Sequence, residues 1–253
     1  MIYCILVFAA FCILLIFYMY KEAHLNIIKK HEFLFSNTLL DKPLRIFFIS
    51  DIHRRFIHPT MIQKLKNEVD LVIIGGDLLE KGVPFHRVKS NIETLKSLGP
   101  LYFVWGNNDQ ENGLNGLMDI FEKFDVRILK NEATLMKHQL TEWTLIGVDD
   151  LNTGHIDINR ALHGKKETGF KLLVSHNPRV MELIQGEHKI SLVLSGHTHG
   201  GQIRILGFGP YEKGKVHMQN GITQIVSNGY GTTGIPLRLG AKPETHYIVI
   251  KSL

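Results

Sequence analysis

Residues 44–53 read LRIFFISDIH: five apolar residues around one arginine, then a serine, then a segment carrying an aspartate and a histidine. A run this short, rich in Ile and Phe, reads as a strand buried on both faces. The same change from apolar to donor-bearing recurs in LVIIGGDLLE (71–80), LYFVWGNND (101–109), LLVSHNP (172–178) and LVLSGHTHG (192–200). In an open α/β sheet the carboxyl ends of the strands lie along one edge, and ligands bind in the crevice there. Five separate segments are therefore expected to deliver oxygen and nitrogen donors to one place.

Outward from these runs, short apolar stretches alternate with amphipathic ones from Pro43 onward. Strands are expected at Leu44 to Ile49, Leu71 to Ile74, Leu101 to Val104, Thr144 to Val148, Lys171 to Val174, Ser191 to Leu194, Ile222 to Val226 and His246 to Ile250. Helices are expected at His58 to Val69 and Phe85 to Leu98, whereas 126–145 and 202–226 read as successive strands. The pattern predicts an α/β fold, a two-sheet sandwich with flanking helices.

The chain has 253 residues, 44% of them apolar and 21% charged, so it has enough apolar material for one large core and no signature of disorder. Its net charge of +5 is dispersed, and no basic run with interleaved aromatics marks a nucleic-acid-binding motif. Nothing identifies a protein partner. Both cysteines, Cys4 and Cys12, lie in the uncharged stretch Ile2 to Tyr20, which is close to the roughly 20 residues a helix needs to cross a bilayer. That stretch lacks the short apolar core and small-residue cleavage site of a signal peptide and reads as an uncleaved anchor. Lys21, Lys29 and Lys30 follow it, so the positive-inside rule predicts a single-pass protein of the cell membrane with its C-terminal domain in the cytoplasm. Residues 1–20 are read as the transmembrane anchor, 21–43 as a juxtamembrane connection with a short strand over His31 to Phe35, and 44–253 as the functional domain.

Histidine, at 14 residues, is abundant. Asp51 and His53 are separated by one residue, so in an extended segment both side chains point to one side. His197 and His199 repeat that spacing. Asp77 and Asn107 each follow glycine, and His176 ends a strand. Carboxylate and amide oxygens mixed with imidazole nitrogens suit Mn²⁺, Fe, Zn²⁺ or Co²⁺ better than an oxygen-only Ca²⁺ or Mg²⁺ site.

The ordered set D-x-H, G-D, G-N-x-D, H and G-H-x-H, from Asp51 to His199, resembles the calcineurin-like metallophosphoesterases. GHTHGGQ (196–202) with GYGTTGIPLRLGAKPE (229–244) is similar to the membrane-associated branch of that family, which includes cell-envelope phosphoesterases and some UDP-diacylglucosamine pyrophosphohydrolases. The resemblance implies two divalent metal ions, Mn²⁺ favoured. Asp51, His53, Asp77 and His199 would hold one, and Asp77, Asn107, His176 and His197 the other, with Asp77 bridging. It further implies in-line attack on a phosphodiester or pyrophosphate by a hydroxide shared between the ions, with Asn107, Asn108 and His176 as candidate catalytic residues. Members often carry His where this chain has Asn108. An amide donates a hydrogen bond but delivers no proton near pH 7, and loss of a general acid costs about 10²- to 10⁴-fold for a poor leaving group, which favours diesters or pyrophosphates. The anchor suggests a lipid-linked or membrane-surface substrate. The alternative is a catalytically weak or inactive metal-binding scaffold of the same fold.

Other polar residues take plainer readings. The remaining histidines, His31 and His246 among them, are expected as surface or core residues. Arg54, Arg55 and Arg238 are expected as solvated loop cations rather than phosphate binders, and Asp149-Asp150 as a turn or cap. Asp109 is expected to cap a helix or hold the Asn107 loop. Gly207 to Pro210 is read as a turn between strands, and the role of Glu80 stays open.

Overall fold

Alternate residues of a strand face opposite sides, and in Leu44–Ile49 both sides are covered: Leu44, Ile46 and Phe48 pack one way, Phe47 and Ile49 the other. The computed structural model describes residues 1–38, 40–111, 114–164 and 169–253. Its strands, numbered in chain order, form two mixed six-stranded sheets. The first runs β1 (Ile28–Phe35), β12 (Thr245–Ser252), β2 (Leu44–Ile49), β3 (Leu71–Ile74), β4 (Leu101–Phe103), β5 (Val126–Ile128). The second runs β10 (Val216–Gln219), β11 (Ile222–Val226), β9 (Leu192–Ser195), β8 (Lys171–Val174), β7 (Thr141–Gly147), β6 (Glu132–His138). β2 to β5 are parallel to one another, as are β7, β8, β9 and β11, while β12 meets β2, β6 meets β7 and β10 meets β11 antiparallel.

Ile46, Phe48, Leu71 and Ile73 from the first sheet meet Leu145, Leu172, Val174, Leu192 and Leu194 from the second in a shared inner layer. Burying each such side chain contributes roughly 1.5–3 kcal/mol, which makes this layer the main term holding the sheets together. On the outside of the first sheet, Val72 and Ile74 pack beneath α2 (Pro59–Gln63), α3 (Phe85–Lys96) and α4 (Asn115–Lys123). The buried face of α3 is Val88, Ile92 and Leu95, at the spacing of a helix stripe. The second sheet is covered by α5 (Ile158–Leu162) and the short helical turn Pro178–Leu183. This is the expected two-sheet sandwich.

Some elements differ from expectation. The helix expected over 58–69 stops at Gln63 and continues as turns closed by Leu65 N–H to Ile62 O and Glu68 N–H to Leu65 O, with Asn67 at φ 65°. The strand expected at His31 to Phe35 begins at Ile28 and pairs along its whole length with β12.

The first helix, α1 (Ile2–Ala23), is 22 residues long, about 33 Å at 1.5 Å per residue, and is long and apolar enough to cross a membrane. Most of its large side chains are open: Phe8 is 68% and Leu14 66% exposed. Its last turn is not, since Met19, Glu22 and Ala23 are buried. Arg238 donates its N–H to Met19 O at 3.1 Å, and Gly240 donates to the Glu22 carboxylate at 2.8 Å.

Candidate metal centre

The carboxyl ends of β2 and β3 are stitched together before any side chain is considered. Asp51 N–H donates to Gly76 O at 3.0 Å, and the N–H groups of Ile52 and His53 both reach Asp77 O, at 2.8 and 3.2 Å. Gly76 is at φ +86°, and a Cβ there would lie 2.7 Å from His176 Nδ1 and 2.8 Å from Gly106 N. The close approach of three strand ends requires glycine at this position.

Asp109 locks the arrangement from below. Fully buried, its carboxylate accepts from the backbone N–H of Asp77 (2.9 Å), Leu78 (2.7 Å) and Gly106 (2.7 Å), holding the Asn107 loop as expected and the Asp77 loop as well. Burial, with the charge of Asp77, pushes its carboxyl up to about 7 against the pull of those N–H groups.

Two groups of donor atoms emerge, each lying within 4.8 Å: Asp51, His53 and His199, and Asp51, Asp77 and His176. His53 Nε2 lies 3.1 Å from His199 Nε2, and His199 Nε2 lies 3.4 Å from Asp51 Oδ1. Asp77 Oδ2 is 3.3 Å from His176 Nε2 and 3.7 Å from His53 Nε2, so it faces imidazoles of both groups. Asp51 stands equally between them, with Oδ1 4.0 Å from His176 Nε2. Both carboxylates thus stand between imidazoles of the two groups. His197 and Asn107 line the cleft beside Asp77. The His197 ring meets His176 edge-on at 5.0 Å, and its Nε2 is 3.3 Å from Asn152 Nδ2.

The extended geometry expected for the two donor-x-donor segments is not found. Asp51, His53, Asp77, His197 and His199 have φ of 54°, 52°, 51°, 72° and 50°. An extended backbone would carry the chain past the sheet edge; left-handed residues fold it back and aim the side chains inward. Such conformations cost of order 1–3 kcal/mol each in a non-glycine residue and persist where surrounding bonds over-determine them.

These residues fit divalent cations. Ligands about 2.0–2.2 Å from a common ion stand roughly 3–3.5 Å apart, the spacing seen from His53 to His199, from His199 to Asp51 and from His176 to Asp77. Asn107 Oδ1 is buried without a hydrogen-bond partner among the described residues, an acceptor left free to meet a cation. The protonation states agree. Burial opposes charge on His176, but Asp77 and Asp51 outweigh it and raise the imidazole to about 10. Burial likewise opposes charge on Asp77, yet His176 and His53 hold its carboxyl well below the usual carboxylate range. Burial, assisted by His53 and Arg238, lowers His199 to about 3, and burial with His176 lowers His197, so both imidazoles are neutral as ligation requires. The cluster attracts positive charge, which cations would supply in place of protons.

Supporting residues were less visible in the sequence. Glu80 Oε2 sits 3.2 Å from His53 Nδ1, and its other oxygen is bonded by the Arg54 guanidinium. His176 Nδ1 is fixed by Gly75 O at 2.8 Å. Both contacts leave Nε2 facing the cleft, the orientation that outer partners impose on ligating histidines. Arg238, expected in solvent, is wholly buried and donates to the carbonyls of Asn228 (2.7 Å), Gly231 (2.6 Å) and Ala241 (2.8 Å) behind His199. Arg55 stacks on Tyr230 at 3.9 Å and donates to the carbonyls of His24 and Leu25. Asp150 Oδ1 caps a turn through Asn152 N–H (2.8 Å), as expected. The cleft over the donors holds about 310 Å³ and includes Asn108, Gln202, Tyr211 and Thr233. A larger hollow of about 860 Å³ at the β6–β7 hairpin contains none of the seven donors.

A sandwich with donor groups for metal at the carboxyl edge of both sheets defines a metal-assisted hydrolase. The chain belongs to the calcineurin-like phosphoesterases, whose sequence profile matches residues 44–201, and it is a metallophosphoesterase. It is 44% identical over 234 residues to the uncharacterized protein YpbG of Bacillus subtilis, covering 92% of this chain and 90% of that one. It is 33% identical over 237 residues to the transmembrane protein with metallophosphoesterase domain of Danio rerio, covering 82% of this chain but about half, 53%, of the fish protein. The solved NAD nucleotidase of Haemophilus influenzae shares the fold, with a TM-score of 0.54 at 17% identity over 75% of this chain and 45% of that chain.

Proposed function

We propose that this chain hydrolyses phosphodiester or pyrophosphate bonds, with two divalent cations, Mn²⁺ foremost, held by Asp51, His53, Asp77, Asn107, His176, His197 and His199. The observation that carries the reading is the pair of donor groups sharing Asp51, with Asp77 Oδ2 facing imidazoles of both. Bound cations would supply a water nucleophile of lowered pKa and a positive field for the phosphoryl oxygens.

The chain's own residues set the preference. Asn108 Nδ2 donates to Asp77 Oδ2 at 2.7 Å at the cleft wall, which leaves its second amide N–H to donate to a phosphoryl oxygen. It has no proton to give the departing oxygen. His197 and His199, neutral and ligating, cannot serve as acids either. This favours a leaving group that departs as a stable anion, such as the phosphate released from a pyrophosphate or the phenolate from an activated diester. In this reading α1 anchors the chain in the cell membrane, 21–43 connects it, 44–253 is the catalytic unit on the cytoplasmic side, and the substrate is a phospholipid or lipid-linked phosphate at the bilayer surface. The name of the fish relative supports the membrane part.

The test is Mn²⁺-dependent hydrolysis of bis-p-nitrophenyl phosphate by the detergent-solubilised chain, alongside Asp77→Ala and His197→Ala, with bound metal counted in each. The wild type is expected to bind two ions and to lose about 10³-fold or more in rate on substitution, because such ions supply several kcal/mol to the transition state. A folded, doubly loaded wild type that turns over neither diesters nor pyrophosphates would establish the scaffold reading instead.

A further inference from the structure

Four large apolar side chains stand open beside the cleft: Ile205 at 68%, Leu206 at 93%, Phe208 at 82% and Ile235 at 53% exposure. The hairpin that carries the first three is built, not loose. Ile205 and Phe208 exchange both backbone hydrogen bonds at 2.9 Å, and Leu206 and Gly207 turn the tip at φ 52° and 88°. The Arg204 guanidinium clamps the carbonyls of Gly200, Gly207 and Tyr211 behind it. Gln202 ties in the second loop, donating to Thr233 O at 3.0 Å and Ile235 O at 3.1 Å. An apolar tip held this firmly in the open is the signature of a surface awaiting a partner.

The place of these loops says what the partner is. Arg204 N–H donates to Leu239 O at 2.8 Å, and Arg238 N–H, one residue before, donates to Met19 O at 3.1 Å. The hairpin base is thus two hydrogen-bonded steps from the last turn of α1, roughly 10 Å at about 5 Å per step. With Glu22 and Ala23 buried there is no slack between helix and body. A bilayer crossed by α1 must therefore begin within a turn of Arg238. The roots of the same two loops, Tyr211 and Thr233, form a wall of the metal cleft.

We infer that Ile205, Leu206, Phe208 and Ile235 form a second membrane contact that dips into the lipid interface beside α1 and seats the mouth of the cleft at the bilayer surface. The occupant is lipid: a spanning helix and a shallow apolar tip give the two attachments that fix orientation, and a ring such as Phe208 suits the interfacial layer. This inference rests on α1 spanning the membrane and makes the substrate a phosphoester whose apolar part stays in the bilayer.

The full chain, carrying Leu206→Trp or Phe208→Trp, is reconstituted in phosphatidylcholine and phosphatidylglycerol vesicles with or without lipid brominated near the headgroup. The native Trp105 and Trp143 are 6% and 2% exposed and give a constant background. Leu140→Trp, at a position 93% exposed on the β6–β7 turn away from the cleft, is the control. Both loop tryptophans are expected to lose most of their fluorescence in brominated vesicles, and the control to keep its own. A chain that floats with the vesicles and resists carbonate extraction, yet shows no quenching at 206 or 208, overturns the inference while leaving the anchor intact. A blue shift without bromine quenching overturns it too, since the tips would then be covered by protein, a second copy included. Failure to float would instead remove the anchor on which the inference rests. The readout needs no turnover, so it stands apart from the proposed hydrolysis.

Discussion

Asp51, His53, Asp77, His197 and His199 share the left-handed backbone region, which residues other than glycine seldom adopt and which Asp and His enter more readily than most. At the sheet edge this strain is matched by hydrogen bonds such as His197 N–H to Asp51 Oδ1 at 3.0 Å, which make one donor's backbone the support of another's side chain. Glu80 shows how far the supporting layer reaches. One carboxylate oxygen meets His53 Nδ1 at 3.2 Å and the other the Arg54 guanidinium, which ties the segment after β3 to the one after β2. Glu80→Gln preserves shape and removes charge, so Mn²⁺ affinity is expected to fall about 10- to 100-fold at the ion bound by His53, as for other outer partners of ligating histidines. Mn²⁺ titration followed by electron paramagnetic resonance checks this; two sites of unchanged affinity would deny Glu80 any part in orienting the imidazole. The seven candidate donors stood out in the sequence because each follows an apolar run. Glu80 was not, because its partner lies 27 residues earlier and is met only through the pairing of Ile49 with Ile74. Arg238 was hidden for a related reason: a buried guanidinium is tolerable only inside a cage of carbonyls, and those come from loops that no local pattern brings together.

Among the elements, the buried parallel strands were readable to the residue at Leu44–Ile49, Leu71–Ile74 and Lys171–Val174, where two covered faces force a nearly continuous apolar run, and at Ile222–Val226 despite its Thr223 and Gln224. α4 and α5 escaped notice. Asn115–Lys123 contains Gly116, which lets the Phe85 ring pack against the helix, and Ile158–Leu162 is barely longer than one turn. β1 was blurred because it is an edge strand with one half-exposed face, mixing Lys29, Lys30, His31 and Glu32 with its apolar residues. Its pairing with β12 has a measurable consequence. His246 is buried, with Nδ1 3.0 Å from His31 Nε2, the Glu244 carboxylate 3.7 Å away and Lys29 bound to Glu244 at 2.6 Å. Burial, then His31 and Lys29, lowers its pKa well below the ordinary 6.5. In the folded chain His246 stays neutral, while in the unfolded chain it takes a proton as pH drops through about 6.5. The unfolded state then binds more protons, so stability is full above that pH and declines below it by up to about 1.4 kcal/mol per pH unit. Melting temperatures of wild type and His246→Phe between pH 7.5 and 5.5 are expected to show a shallower fall in the variant. Parallel curves would mean that His246 takes its proton in the folded chain.

At the scale of the whole molecule, helix, loops and metal cleft are joined in one body. Arg55 links the carbonyls of residues 24 and 25 to Tyr230, whose N–H is bonded to Ser50 O, next to Asp51. With α1 spanning a membrane as proposed, the side on which the body lies would also be the side on which the cleft opens, and the charges flanking α1 would decide both. Insertion precedes folding, so Lys29 counts toward orientation although it is later paired with Glu244. Lys21, Lys29 and Lys30 after an uncharged span favour retention of that flank in the cytoplasm. With Cys4 and Cys12 replaced by serine, Leu140→Cys places one thiol at a position 93% exposed on the body. A membrane-impermeant maleimide is expected to label it only after cells expressing the chain are permeabilised. Labelling of intact cells would put the cleft outside, and the phosphoesters within its reach would then be those of the outer lipid layer.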